Sequence, residues 1–367
     1  MSVRGQAWFN EMLKKLRHPY KRTWIILNPA SIGETVTVCA LSDAFVKAHG
    51  YSITMVVQPH HLAITEMYPN RFEQVLVEDR DVILEIMRHC PPHQFDIDVP
   101  LAGFFYNLGD ARADAISYLF KYPGRGGLTF TDTYRHIFKL PWDARLERPI
   151  VPVEWMDQAQ NFVTMAGIDT QHAIILFPAN NSAITQFPDI FWTTLAARLN
   201  QNGYQVLCNM KGGQFQPDTM PIAGTIPIDV SMQLGLPLIS LIGKVIGGAN
   251  GMLFWQAMGG LFDEMTVLFP MTANDEDVLL NERIYPAHLS KMQFMAPEVC
   301  VDIPFSEFGV PFSGSEKELI RLARSIADQS LGNPDRFQRY SADGSDYISG
   351  NAQWLRALIA PIPIRQS

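Results

Sequence analysis

One acidic residue stands where an apolar strand turns into a helix near the start of the chain. The segment from Trp24 to Asp43 reads W-I-I-L-N-P-A-S-I-G-E-T-V-T-V-C-A-L-S-D. This pattern is typical of a buried strand, a tight turn ending at Gly33-Glu34 and a helix with an apolar face. In open α/β sheets, ligands bind at the edge where such turns lie.

Glu34 falls in the first turn of this predicted helix, where the helix macrodipole favours an ionised carboxylate. An ionised carboxylate in a cleft can take a proton from a substrate hydroxyl, so Glu34 is the candidate general base. The alternative is an acid at a helix start that only complements the dipole.

Two turns in the second half of the chain are suited to holding a diphosphate. They follow apolar strands predicted at 172–177 and 244–246. Backbone N–H groups at a helix N-terminus bind phosphate without a metal, and glycine allows close backbone approach. A lysine after a third strand could add positive charge, although solvated loop lysines show the same pattern. The donor-binding candidates are Asn180, Asn181, Ser182, Lys211, Gly248, Asn250 and Gly251.

Acceptor-binding candidates follow a strand predicted at 95–99 in the first half of the chain. They are Tyr106, Asn107 and Arg112. No metal site is expected. The adjacent pair His60-His61 does not share one face of a helix, and no third ligand is near it in sequence.

The elements that must position these residues alternate between strand and helix, which predicts parallel βαβ units with right-handed crossovers. A proline-containing segment without periodicity, 140–153, is the predicted linker between two Rossmann-like halves. The other predicted strands are 52–57, 74–77, 204–208 and 266–269, and the predicted helices are 79–89, 110–120, 154–166, 191–201 and 316–329.

The 367 residues are too many for one ordinary domain and suit two. We predict an N-terminal Rossmann-like domain at 1–150 and a C-terminal Rossmann-like domain at 151–330. Residues 331–367 form a C-terminal tail that could pack back on the first domain. Active sites of such paired domains lie in the crevice between the two carboxyl edges.

Composition excludes several other classes of protein. The hydrophobic fraction of 47% and the charged fraction of 18% describe a globular chain, and the net charge of −8 argues against a nucleic-acid binder. The four scattered cysteines predict buried thiols in a reducing compartment. No secretory signal or membrane-spanning segment is expected. The basic N-terminal segment could rest on an anionic membrane surface or pack on its own domain.

The order of several motifs resembles the heptosyltransferase-like (GT9-type) glycosyltransferases of lipopolysaccharide and surface-polysaccharide assembly. The resemblance covers about residues 24–330. It rests on S-I-G-E after the first strand, F-D-I-D-V, T-D-T-Y-R-H-I-F-K-L, and I-I-L-F-P-A-N-N-S followed by Q-F-P-D-I-F-W-T-T-L-A-A-R-L. It implies the GT-B architecture, in which two Rossmann-like domains face each other across a cleft. The domain at 1–150 would be the acceptor-side domain, and the domain at 151–330 the nucleotide-sugar domain.

The sequence departs from the family pattern at three places. The family usually has G-D at the first turn, with Asp as the candidate base, and Glu34 takes that position here. A family lysine before W-P is missing from Thr185-Gln186-Phe187-Pro188, so Lys211 could replace its charge. The family segment N-D-S-G-x-x-H has Ala249 and Phe254 in place of its Asp and His.

The resemblance implies an inverting glycosyltransferase with Glu34 as its base and a nucleotide diphosphate sugar as donor. The acceptor would be a lipopolysaccharide or surface-polysaccharide glycan or glycolipid. We expect no metal, cofactor or nucleic-acid partner and a cytoplasmic location, with peripheral contact to the inner membrane as an option. The lost family residues leave a non-catalytic binding or scaffolding protein as the alternative. A sugar-nucleotide epimerase ranks lower because the segment that would supply its acids and histidine is apolar.

Overall fold

The computed structural model describes residues 3–17, 23–28, 32–89, 98–99, 103–107, 130–179, 187–210, 221–229, 231–248, 264–271, 305–311 and 315–329. The chain forms two compact units that divide between Ile150 and Val151. Each unit contains a largely or wholly parallel sheet with helices, which confirms the predicted α/β class.

The sheet of the first unit has the strand order β3-β2-β1-β5-β4. Its strands β1, β2, β3 and β5 are parallel, while β4 pairs antiparallel with β5. All six residues of β1 are buried, as expected for a central strand covered on both faces. The strands are β1 (Thr23–Asn28), β2 (Ser52–Val57), β3 (Phe72–Val77), β4 (Asp98–Val99) and β5 (Gly103–Asn107).

Helices of the first unit follow or precede these strands. A 3-10 turn, Pro59–His61, comes directly after β2. Gly50 ends α3 in the left-handed conformation (φ 84°), and its N–H donates to the carbonyl of Val46. Glycine adopts this conformation without steric cost. The helices are α1 (Val3–Lys14), α2 (Ile32–Ala40), α3 (Ser42–His49), α4 (Leu62–Glu66), α5 (Arg80–His89) and α6 (Phe130–Ile137).

The core of the first unit has an aliphatic part and an aromatic part. In the aliphatic part, the N-terminal residues Met12 and Leu16 join Ile25 and Leu27 of β1 and apolar residues of α5. In the aromatic part, Phe45 of α3 lies edge-on to Trp24 and Phe138, at centroid distances of 5.6 and 5.2 Å. The two clusters bury the faces that the helical periodicity predicted.

The sheet of the second unit is parallel throughout its described strands, in the order β11-β10-β9-β6-β7-β8. The strands are β6 (Ala173–Phe177), β7 (Gln205–Asn209), β8 (Ile226–Ile228), β9 (Lys244–Gly248), β10 (Glu264–Met271) and β11 (Phe305–Pro311). The helices are α7 (Val153–Ala166), α8 (Asp189–Gln201), α9 (Met232–Ile242) and α10 (Glu316–Gln329).

Helix α10 packs on α8, and both contribute to one core with the sheet. Phe191 and Leu195 of α8 and Ala323 and Ile326 of α10 are fully buried there. Arg198 of α8 binds the carboxylate of Asp328 through two nitrogens at 2.7 and 3.2 Å. Apolar burial therefore holds this helix pair together, and an exposed ion pair lies at its border.

Most element bounds agree with the sequence prediction to within two residues, and the helix at 316–329 agrees at both ends. Two predictions were wrong. His172 belongs to a 3-10 turn, Thr170–His172, and not to β6. The pairing at Asp98–Val99 is antiparallel, whereas strand–helix alternation predicted parallel units throughout. The predicted helix at 110–120 and the predicted tail at 331–367 lie outside the described residues.

The N-terminal helix packs on its own unit through Met12, and the two basic residues at its end and directly after it are paired with acids. Lys14 pairs with Glu11, and Lys15 pairs with Glu78. None of the helices in the described ranges combines the length and hydropathy that a bilayer-spanning segment needs.

Candidate active site

The strand order of the first unit reverses at β1. The chain runs from β1 to β2 and β3 on one side, and β5 then pairs with the other side of β1. In open α/β sheets, such a reversal opens a crevice at the carboxyl ends of the two central strands, and ligands bind there. The candidate site of this unit therefore lies where β1 and β5 end.

Glu34 is carried to this edge by the helix that follows β1. It is the third residue of α2, and the residue is only 5% exposed. The sequence prediction placed it in the first helical turn, and the structure agrees. An acidic residue at that position complements the N-terminal end of the helix dipole.

Three buried polar side chains are hydrogen-bonded in a row beside Glu34. Asn28, the last residue of β1, donates from Nδ2 to Oγ1 of Thr35 on α2 at 3.0 Å. The same Oγ1 lies 3.0 Å from Nδ1 of His61, in the 3-10 turn after β2. This Asn28–Thr35–His61 network thus links β1, α2 and the end of β2 at the candidate site.

His61 is neutral in the folded protein. Burial, together with the neighbouring His60, lowers the pKa of His61 to about 3. The two imidazole rings meet edge to face at 4.2 Å. His61 cannot therefore serve as a general base near neutral pH, and its ring acts in the site as a hydrogen-bonding group.

A second buried polar group belongs to the motif T-D-T-Y-R-H. On α6, the guanidinium of Arg135 donates to Asp132 at 2.9 Å and to Thr131 at 3.3 Å. Its Nε donates to the carbonyl of Ala144, 2.9 Å away in the segment after the helix. The group ties α6 to that segment, and α6 packs against α2.

Two acceptor-binding candidates lie at the same sheet edge as the end of β1. Tyr106 and Asn107 are the last residues of β5, in register with Ile26 and Leu27 of β1. The sequence analysis expected them to follow a strand, whereas they form the end of a strand themselves. The third candidate, Arg112, lies outside the described residues.

The second unit repeats the reversal seen in the first. Strand β6 has β7 and β8 on one side and β9 on the other, and Phe177 at the end of β6 pairs with Gly247. The two predicted phosphate-binding turns therefore start from neighbouring strand ends at the position where such sheets bind ligands.

The structure corrects the prediction at Gly248, which belongs to a strand. We expected Gly247 and Gly248 to form a turn, but both belong to β9, where they pair with Val267 and Leu268 of β10. The central position of β9, with partners on both sides, overrides the turn preference of a glycine pair. The turn can begin only after Gly248. The other donor-binding candidates, Asn180, Asn181, Ser182, Lys211, Asn250 and Gly251, lie outside the described residues.

The part of the chain that the structure describes contains no group of three or more His, Cys, Asp or Glu residues arranged to hold a metal ion. Its two cysteines, Cys39 and Cys208, are buried thiols, and burial raises the pKa of both, that of Cys208 to about 12.

The sequence pattern did not predict the Asn28–Thr35–His61 network. Two signals were available. Asn28 is a polar residue directly after the apolar run Trp24 to Leu27, and Thr35 directly follows Glu34 at the predicted helix start. His61 was considered only as a metal ligand, and its bond to a threonine 26 residues away has no local signature.

A comparison of the sequence with protein-family models and with curated proteins finds no match. Solved structures do match. The glycosyl transferase family 9 protein from Veillonella parvula DSM 2008 superimposes with a TM-score of 0.51 and 14% identity, over 85% of this chain and 98% of that one. ADP-heptose lps heptosyltransferase II from E. coli superimposes with a TM-score of 0.49 and 10% identity, over 84% of this chain and 99% of that one.

The similarity to the Veillonella protein spans almost the whole of that protein and both units of this one. The resemblance drawn from the sequence motifs is thereby confirmed at the level of the fold. This chain has the GT-B fold of the family 9 glycosyltransferases.

Proposed function

We propose that this protein is an inverting glycosyltransferase that uses a nucleotide diphosphate sugar as donor and Glu34 as general base. The observation that carries the proposal is the position of Glu34 in the first turn of α2, nearly buried, at the ligand-binding edge of a glycosyltransferase fold.

The proposed reaction transfers one proton, forms one bond and breaks another. The carboxylate of Glu34 takes the proton of an acceptor hydroxyl, and the acceptor oxygen forms a bond to the anomeric carbon. The bond from that carbon to the phosphate oxygen breaks, and the nucleotide diphosphate leaves with the electron pair. Attack on the face opposite the leaving group inverts the anomeric configuration. General base catalysis contributes about 10²–10⁴-fold to such reactions.

Donor binding belongs to the second unit in this proposal. Strands β6 and β9 are neighbours in the sheet, and the candidates Asn180–Ser182 and Asn250-Gly251 come soon after them in the sequence. Backbone N–H groups there, with Lys211 as a positive charge, would stabilise the leaving diphosphate without a metal. Turnover in the presence of EDTA tests metal independence.

The acceptor in this proposal is a lipopolysaccharide or surface-polysaccharide glycan, and the protein would act at the cytoplasmic face of the inner membrane. The support is the motif resemblance and the basic N-terminal segment, of which Arg17 is exposed. Because Met12 and Leu16 are buried in the core, contact with a membrane would depend on charge and not on insertion of these residues.

The experiment is a transfer and hydrolysis assay with UDP-, GDP-, ADP- and dTDP-sugars, comparing the wild type with Glu34→Gln and Glu34→Ala. We expect both variants to lose about 10²–10⁴-fold in kcat while nucleotide binding persists. Glu66→Gln, which removes an exposed acid of the same unit, is the matched control and should keep wild-type turnover. Wild-type turnover in Glu34→Gln would contradict the base role. Absence of both turnover and nucleotide binding would favour the scaffolding alternative.

A further inference from the structure

A side-chain hydrogen bond joins the end of β1 to the first turn of α2, which carries Glu34. Asn28 is the last residue of β1, and its Nδ2 donates to Oγ1 of Thr35 at 3.0 Å. Glu34 directly precedes Thr35 on the helix. The position of Glu34 relative to the sheet is therefore set by the Asn28–Thr35 contact as well as by the backbone.

The bond from Thr35 to His61 adds a second anchor on the neighbouring strand. His61 follows β2, which pairs with β1 along its full length, so the network fixes α2 to two adjacent strand ends. Both bonds meet at Oγ1 of Thr35, so this point of the helix is held from two directions. Glu34 and Thr35 are adjacent on one helix, so a rotation of the helix about its axis would move both side chains together.

Burial gives the network its strength. Asn28 and Thr35 are fully buried and His61 is 1% exposed, so water does not compete for these hydrogen bonds. A buried polar group that loses its partner bears the full cost of desolvation. Breaking either bond is therefore costly, and the network holds the first turn of α2 in place.

From these contacts we propose that the Asn28–Thr35–His61 network positions Glu34 for proton abstraction, and that Thr35 controls kcat through the carboxylate beside it. The inference rests on the proposed role of Glu34 as general base. Thr35 is a positioning residue here, because the network acts on the reaction only through Glu34. Misplacement of a reacting group by about 1 Å can reduce a rate by about 10²-fold.

The chain offers a matched control on the same helix. Thr37 is as fully buried as Thr35, but its hydroxyl donates only to the carbonyl of Gly33, one turn earlier, at 3.0 Å. Thr37→Val therefore removes a buried hydroxyl from α2 without cutting a link to β1 or to His61. Thr35→Ser keeps a hydroxyl at the network position.

The test measures NDP release from UDP-glucose, GDP-mannose, ADP-glucose and dTDP-glucose by the full-length chain. We expect Thr35→Val to reduce kcat at least about tenfold with KM within about twofold. Thr37→Val and Thr35→Ser should retain most of the wild-type kcat. In a Glu34→Gln background, Thr35→Val should cause no further loss, because its effect passes through the carboxylate.

A second measurement reports the network without any turnover. In protein labelled with ¹⁵N-histidine, the Nδ1 resonance of His61 should shift in Thr35→Val and stay in place in Thr37→Val. If Thr35→Val does not fold, His61→Asn removes the bond from Thr35 to residue 61 and leaves the bond between Asn28 and Thr35 in place. The kcat of His61→Asn should then be lower than that of the wild type.

The outcomes separate the two proposals. Wild-type kcat in Thr35→Val overturns the positioning role while leaving the base role intact, and so does an equal loss from Thr35→Val in the wild-type and Glu34→Gln backgrounds. Full activity of Glu34→Gln overturns the base role, and the positioning role falls with it. An unchanged His61 resonance in Thr35→Val would show that the two side chains do not interact in solution.

Discussion

At the scale of single residues, the imidazole of His61 makes folding sensitive to pH. Its pKa is about 3 in the folded protein against 6.5 as the ordinary value, because burial and His60 oppose the charged form. Between these two values the unfolded chain binds a proton that the folded chain does not. Stability therefore rises with pH across this window and is lost as the pH falls.

We expect His61→Asn to remove this contribution. In the wild type, His61 alone should lower the free energy of unfolding by about 2 kcal/mol between pH 7 and pH 5. The loss over this range should be correspondingly smaller in His61→Asn, as measured by urea denaturation at both pH values. His60→Asn is the control, since His60 is exposed and burial lowers its pKa less. Equal losses in wild type and His61→Asn would contradict the assignment.

At the scale of elements, two Arg–Asp ion pairs hold helices in place, one of them buried and the other exposed to solvent. Arg135 and Asp132 are buried on α6, and the arginine also binds the segment after the helix. Arg198 and Asp328 join α8 to α10 at the surface. Water screens the exposed pair, whereas the buried arginine depends on its partner.

Asp132→Asn should therefore destabilise the protein by about 3–5 kcal/mol, because it removes the charge of a carboxylate that lies 2.9 Å from the buried guanidinium of Arg135. Thermal or urea unfolding measures the change. Asp328→Asn should leave the unfolding midpoint nearly unchanged. Replacing both partners, as in Asp132→Asn with Arg135→Met, should recover part of the loss. A small effect of Asp132→Asn alone would mean that water reaches the pair.

The elements themselves were largely predictable from local patterns. The unbroken apolar run of β1 and the amphipathic period of α10 both match the structure, since burial on two faces or on one face imposes these periods. The end of β9 was not predictable, because pairing with β10, and for Gly247 also with β6, keeps the two glycines extended. Such pairing depends on residues far away in sequence.

At the scale of the whole molecule, the two units repeat one topology. In each sheet the first strand of the unit has later strands on both sides, so each unit has its own reversal at which ligands bind. The proposed division of labour assigns the base to the first unit and the nucleotide to the second. Nucleotide binding should consequently be independent of Glu34.

We expect one of UDP, GDP, ADP and dTDP to raise the unfolding temperature. A ligand at 100 times its Kd stabilises the native state by about 2.7 kcal/mol, which corresponds to several degrees for a protein of this size. The matching nucleoside monophosphate should shift it less, because the proposed turns bind a diphosphate, and Glu34→Gln should keep the shift. If all four diphosphates leave the transition unchanged, the donor site is not where we place it.

The sequence by itself determined the α/β class, the alternation of strands and helices and the position of Glu34 at a helix start, because these follow from the spacing of neighbouring residues. Only the tertiary structure decided which strands pair and which polar groups meet. Asn28, Thr35 and His61 come from two strand ends and a helix, and their contacts exist because β2 lies beside β1. Local periodicity does not predict such contacts, since a buried hydrogen bond depends on the crossover that brings its partners together.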